Sequence, residues 1–145
     1  AGAFWDVDDS HRVISLSVST QLSDPLGARP VPFTELVQLG GPGMMPGFRM
    51  GRLQDRSAAV ATLRYVWPVW IWLNGSLQVA TGNVFGARFD GFRAERSRLS
   101  AAIGIESLGS RDSIFQALVG FGTETFESGA KVDSLRVTVG ARSGF

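Results

Sequence analysis

Hydrophobic and polar residues alternate along most of this chain, and the clearest example is its last segment, Ser134–Phe145. Leu135, Val137 and Val139 occupy odd positions, while the even positions carry Ser, Arg, Thr and Gly. Because successive side chains of a strand point to opposite faces, the segment is predicted to be a β-strand with one apolar face. The segment ends on an aromatic residue, Phe145. A membrane β-barrel strand and an edge strand of a soluble sandwich both fit this segment.

The same period-2 pattern recurs in five further segments, whereas the 3.6-residue period of a helix is nearly absent. The predicted strands are Arg12–Leu22, Ser57–Val69, Ile71–Phe85, Arg98–Leu108, Ser113–Thr125 and Ser134–Phe145. Gly, Pro, Asp and Ser cluster in the connections between them, as expected of turns. The sequence therefore predicts an all-β protein, an antiparallel meander of about six strands forming one domain over residues 1–145.

The polar strand faces favour a membrane barrel over a soluble sandwich, because they carry mostly Ser, Thr, Gly and Gln. This composition suits a hydrated lumen with a few paired charges. The charged residues on these faces include Arg64, Glu106, Glu124 and Arg136. Aromatic residues gather at predicted strand ends, namely Tyr65, Trp67, Trp70, Trp72, Phe85 and Phe89. We interpret them as an interfacial girdle, since Tyr and Trp prefer the membrane–water boundary; a soluble aromatic core is the alternative.

The amino-acid composition argues against several classes of function. The net charge of +1 gives no electrostatic reason to expect a nucleic-acid partner. No cysteine is present, which excludes disulfides, thiolate metal sites and a thiol nucleophile. No apolar run approaches the roughly 18 residues of a membrane helix. Neither an initiator Met nor a signal peptide is visible, and we interpret the chain as part of a longer protein.

Candidate catalytic and metal-binding groups are few. The segment Asp6–His11 clusters possible metal ligands but lacks the Gly and the distal Glu of a calcium loop, so we interpret it as a solvated loop or a strand end. His11 is the only histidine, and no nucleophile-elbow motif accompanies it. Glu106 and Glu124 are a conceivable acid–base pair, but lumen charges balanced by Arg64 and Arg136 explain them equally well. We predict no enzyme activity, no cofactor and no metal.

A long connection, Ser23–Arg56, lacks convincing periodicity and is rich in glycine. A structureless loop of this length inside a compact domain is usually functional or a sign that the strand assignment is wrong. Its second half contains Gly-Gly, then Pro46-Gly47-Phe48, then Gly51-Arg52-Leu53, and then Asp55-Arg56-Ser57-Ala58 leading into a strand. In this order and spacing, the motifs resemble the large sixth loop of BamA/TamA-like outer-membrane proteins, also called bacterial surface antigens. The resemblance extends from Arg12 to the terminal strand.

The resemblance implies a sixteen-stranded barrel of which these segments are the last six. In that family the Arg of an Arg-Gly-Phe/Tyr loop tip meets an Asp on the thirteenth strand. Here Pro46 stands in place of the Arg, and Ala80, two residues before Gly82, stands in place of the Asp. Losing one partner of a buried ion pair costs roughly 3–5 kcal/mol, whereas losing both is nearly neutral. A docked loop is therefore still expected, held by packing of Phe48 and by glycine backbone contacts.

Two arginines, Arg49 and Arg52, are candidates to replace the missing guanidinium of the loop tip. The resemblance also implies an assembly signal in the terminal strand, carried by Val137, Val139, Gly140 and Phe145. Its implied location is the bacterial outer membrane, and its implied role is the insertion or translocation of proteins there. The implied partners are outer-membrane lipid, client outer-membrane or secreted proteins, and assembly-machinery lipoproteins, with no nucleic acid. A small soluble β-sandwich or lipocalin-like binding module, and a passive porin-like channel, are the alternatives.

Overall fold

The computed structural model describes residues 1–7, 11–25, 30–107 and 113–143. Within these ranges the chain is almost entirely β-structure, with four single-turn 3-10 segments in the connections. The strands are β1 (Gly2–Val7), β2 (Arg12–Leu22), β3 (Val37–Leu39), β4 (Leu53–Asp55), β5 (Ser57–Trp70), β6 (Leu73–Phe85), β7 (Arg98–Ser107), β8 (Ser113–Thr125) and β9 (Val132–Ser143). Among the described residues, no helix is long and apolar enough to cross a lipid bilayer.

Seven strands form one antiparallel sheet in the order β1-β2-β5-β6-β7-β8-β9, and β3 and β4 form a separate hairpin within the long connection. The predicted all-β antiparallel meander is confirmed. The predicted number of about six strands is wrong, because β1 adds a seventh at the edge of the sheet. Phe4 and Asp6 of β1 lie on one face, beside Ser15 and Val13 of β2, so this short strand lacks a clean apolar–polar contrast.

The connection between β5 and β6 also differs slightly from the prediction, which ended one strand at Val69 and began the next at Ile71. The structure continues β5 to Trp70, leaving only residues 71–72 between the two strands. Pairing of β5 with β2 ends at Val66, so Pro68 lies where only β6 remains as a neighbour. Proline lacks the N–H that a central strand must donate, and it is tolerated here because the described pairing of β5 with β2 has already ended.

The two ends of the sheet carry connections of different length. At one end, residues 8–11, 71–72 and 108–112 join successive strands. At the other end, residues 23–56, 86–97 and 126–131 do so. The long connection returns across the sheet and supplies most of the described core. That core contains Leu39, Met45, Phe48, Leu53, Val60 and Ala80.

The strand register brings residues of the same character into rows across the sheet. One row, on the face of the odd-numbered residues of β5–β9, is almost wholly apolar: it contains Ile14, Tyr65, Leu77, Ile103, Val119 and Val137. A row on the opposite face is made of small residues: Gly2, Ser17, Thr62, Ala80, Ser100, Gly122 and Ser134. We call the face that carries the first row the apolar face, and the face that carries the second row the small-residue face.

In a soluble sandwich the apolar face of a sheet is buried, whereas here the opposite face is buried. The described core lies on the small-residue face, beneath the long connection. On the apolar face, Leu63 is 48% exposed, Ile103 52% and Val137 68%. The part of the chain that the structure describes places no second layer of strands or helices over this face.

Candidate functional site

The site begins with the hairpin that closes the base of the long loop. Val37 pairs with Asp55 and Leu39 pairs with Leu53, so the two ends of residues 37–55 lie side by side. We call residues 37–55 the docked loop. Leu39 and Leu53 point into the core beneath, and burial of these side chains fixes the hairpin on the sheet.

Backbone hydrogen bonds fold the tip of the docked loop back on itself. The Gly41 N–H donates to the Phe48 carbonyl at 2.9 Å, and the Phe48 N–H donates to the Met45 carbonyl at 2.9 Å. Gly40 has φ +132° and its added Cβ would lie 2.4 Å from the Arg49 carbonyl oxygen, so only glycine fits there. The closed tip presents Pro46, Gly47 and Phe48, all buried, to the sheet.

Two serines of the small-residue face, one on each side of β8, hold the backbone of Gly47. The Gly47 N–H donates to Ser100 Oγ of β7 at 2.8 Å, and Ser134 Oγ of β9 donates to the Gly47 carbonyl at 2.8 Å. Gly122 of β8 lies between the two serines in the same row. A Cβ added to Gly47 would lie 2.0 Å from the Phe121 carbonyl oxygen. The loop backbone therefore rests directly on the sheet backbone.

Two glycines of β8 make room for this contact. A Cβ on Gly120 would lie 2.7 Å from the Pro46 carbonyl oxygen, and a Cβ on Gly122 would lie 2.8 Å from Cζ of Phe48. Phe48 is fully buried and shares its cluster with Ala80. Glycine in a strand interior weakens the strand, and a close approach of another backbone is a common reason for it.

The residues singled out from the sequence fall at different places around this contact. Ala80 lies in the core cluster with Phe48, whereas Gly82 packs against β5, where a Cβ would meet the Ala59 carbonyl oxygen at 2.4 Å. Arg49 is exposed, and none of the ion pairs among the described residues includes it. Arg52 forms an ion pair with Asp133 at the start of β9, so its partner is on the edge strand and not on β6. Its guanidinium carbon also lies 5.8 Å from the centre of the Phe48 ring.

The residues that receive the loop tip were not predicted from the sequence; they are Ser100, Gly120, Gly122, Asp133 and Ser134. Each is small or acidic and unremarkable in its own segment. The signal that unites three of them is their shared row, Ser100, Gly122 and Ser134, and the row emerges only when the strand register is known.

The charged residues of the small-residue face are partly paired. Arg64 of β5 forms an ion pair with Glu106 of β7 across the intervening strand β6. Ser76 of β6 is buried, and its hydroxyl has no partner among the described residues. Arg136 lies opposite Gly120, and no ion pair joins it to another described residue.

An acid–base pair of Glu106 and Glu124 is excluded by their positions. Glu106 pairs with Gln116 of β8, and Glu124 lies eight residues further along the same strand. At about 3.3 Å per residue the separation is roughly 26 Å. Paired catalytic carboxyl groups are roughly 5–9.5 Å apart. The proposed balance of Glu124 by Arg136 is not seen either, because Glu124 takes part in none of the described ion pairs.

Aromatic side chains gather at the ends of β5 and β6. The rings of Tyr65 and Trp67 stack with centroids 5.3 Å apart, and Trp67 covers Gly75 of the neighbouring strand. Trp70 and Trp72 are exposed at the two-residue connection. At the opposite end of β6, Phe85 contacts Phe89 and Phe92.

The remaining sequence candidates lie at the chain termini. Val137 and Val139 are exposed on the apolar face of β9, and Gly140 pairs with Gln116. Phe145 lies outside the described residues, as do Asp8, Asp9 and Ser10 of the acidic segment. In the ranges that the structure describes, no three potential metal ligands converge.

No family model matches the chain, and no curated protein matches it. The functional proposal therefore rests on the geometry of the sheet and of the docked loop.

Proposed function

We propose that this chain is the C-terminal part of an outer-membrane β-barrel of the BamA/TamA-like family, in which the apolar face contacts lipid. The observation that carries the proposal is the reversed burial: large apolar side chains lie exposed across the sheet, while serines, glycines and alanines bury the docked loop. Soluble monomers rarely expose contiguous apolar surfaces larger than a few hundred Å². A lipid environment removes that cost, and a hydrated lumen suits the opposite face.

The distribution of connections and aromatic residues supports the same proposal. Short connections at one end and longer ones at the other are typical of outer-membrane barrels. Trp70 and Trp72 at the short connection are placed where an interfacial girdle requires amphipathic rings. Under this proposal the short-connection end faces the periplasm. Seven strands are fewer than the roughly eight that the smallest membrane barrels contain, so further strands outside this chain would complete the barrel.

The proposed role is the insertion or translocation of other proteins at the outer membrane, without a cofactor or a covalent step. β9 is an edge strand of the described sheet. In the complete barrel it would close against the first strand, and opening of that seam would expose unpaired backbone N–H and C=O groups. Such an edge is a template for an incoming extended segment. Clients would be outer-membrane or secreted proteins, with assembly-machinery lipoproteins as further partners.

A fractionation experiment tests the membrane assignment. Expressed in a bacterium with a signal peptide, the full-length protein should remain in the outer-membrane fraction, resist carbonate extraction, and migrate differently on gels before and after heating. A lipid-facing sheet predicts all three results, because the apolar face cannot be hydrated without detergent. Recovery as a monodisperse protein without detergent would instead indicate the soluble sandwich or lipocalin-like module.

A further inference from the structure

The docked loop contacts the edge strand β9 at two successive residues. Ser134 Oγ donates to the Gly47 carbonyl at 2.8 Å, and Asp133 forms an ion pair with Arg52. Both contacts lie at the beginning of β9, and the other hydrogen bonds described between the loop tip and the sheet involve interior strands. The contacts described between the docked loop and β9 therefore lie only at the beginning of that strand.

A β-bulge explains how two adjacent residues of β9 reach the same loop. Gly122 pairs with Ser134, but the next residue of β8, Thr123, pairs with Val132, which leaves Asp133 as the extra residue. Adjacent side chains of a regular strand point to opposite faces, and a bulge re-aims one of them. The bulge also removes Asp133 from the ladder, so pairing with β8 is weakest where the loop makes its contacts.

We infer that the docked loop fastens the start of β9 to the sheet and thereby regulates the availability of this edge for strand pairing. The inference rests on the proposed function in one respect, the use of the β9 edge as a template. With the loop docked, Ser134 and the Asp133 carboxylate hold the bulged segment in place. With the loop released, residues 132–136 retain only the interrupted pairing with β8. Contacts of the docked loop with β9 thus fulfil the role that the resemblance assigns to an Arg–Asp ion pair at positions 46 and 80, where this chain has Pro46 and Ala80.

Backbone hydrogen exchange of the full-length protein in detergent micelles tests this inference. In an Arg52→Gln/Ser134→Ala variant, amides of residues 132–136 should exchange roughly tenfold faster than in the parent protein, because their local opening no longer breaks loop contacts. Amides of β5 and β6 should be unchanged. The matched control is Arg49→Gln/Thr138→Ala, which alters a loop arginine and a β9 hydroxyl residue for which no loop contact is described.

A charge exchange separates loss of fastening from general destabilisation. Asp133→Arg alone should accelerate exchange at residues 132–136, and the double variant Arg52→Asp/Asp133→Arg should return it toward the parent rate. Exchange within twofold of the parent in both the Arg52→Gln/Ser134→Ala and the Asp133→Arg variants would overturn the inference. The readout does not depend on strand templating. Unchanged exchange in these variants of a heat-modifiable membrane protein would contradict only the fastening of β9 by the loop. Faster exchange in variants of a protein that is soluble without detergent would contradict only the proposed function.

Discussion

Ile103→Arg should prevent most of the full-length protein from inserting into the outer membrane. Ile103 lies in the middle of β7 on the apolar face, half exposed, with Leu77 and Val119 beside it. An arginine on the lipid face near the bilayer midplane costs about 2–4 kcal/mol. Outer-membrane yield and the heat-modifiable fraction measure the effect.

The matched control for this substitution is Gln116→Arg, which introduces the same side chain on the opposite face beside Glu106. Insertion should be close to that of the parent, because lumen-facing positions accept charge. A soluble protein would behave differently at Ile103, where an exposed substitution changes stability by no more than about 0.5 kcal/mol. Equal insertion of the two arginine variants would contradict the lipid-facing assignment.

Gly47→Ala should undock the loop tip. The new Cβ would lie 2.0 Å from the Phe121 carbonyl oxygen, and the nearest atoms belong to the sheet backbone, which cannot move aside without distorting β8. Overpacking in a well-packed interior costs typically about 1–3 kcal/mol. Limited trypsin digestion of the folded protein should then cleave after Arg49 and Arg52 roughly tenfold faster or more.

Gly43→Ala is the control for this loop variant, because a Cβ at Gly43 would meet nothing within 4 Å. Its cleavage rate should equal that of the parent. If Gly47→Ala were cleaved no faster than Gly43→Ala, the tight contact between the Gly47 backbone and β8 would not exist in the folded protein.

Six of the seven strands of the main sheet were predictable because each alternates cleanly over ten or more residues. β1 was not, since Phe4 and Asp6 share a face and the strand is short. The hairpin of Val37–Leu39 with Leu53–Asp55 was also missed. Three residues are too few to display a period, and the pairing depends on a turn-rich tip that folds only against the sheet.

The site was predictable in part. The motif Pro46-Gly47-Phe48 indicated Gly47 and Phe48 as site residues, and both are buried. The partner of Arg52 was not predictable, because Asp133 reaches Arg52 by means of a β-bulge, and the alternation of apolar and polar residues does not reveal the bulge. Likewise, Ser100 and Ser134 converge on Gly47 only through the register of β7, β8 and β9. Long-range register is a property of the whole sheet, and single segments do not encode it visibly.

A nitroxide scan of β7 distinguishes an apolar face that contacts lipid from one that packs against protein. This chain contains no cysteine, so single labels at residues 99 to 106 have no competing thiol within it, and each labelled protein is reconstituted in lipid vesicles. If the apolar face contacts lipid, labels at positions 99, 101, 103 and 105 should collide with oxygen at high rates, and labels at 100, 102, 104 and 106 at low rates. Labels at the odd positions that collide with neither oxygen nor a water-soluble reagent would mean that the apolar face is packed against protein.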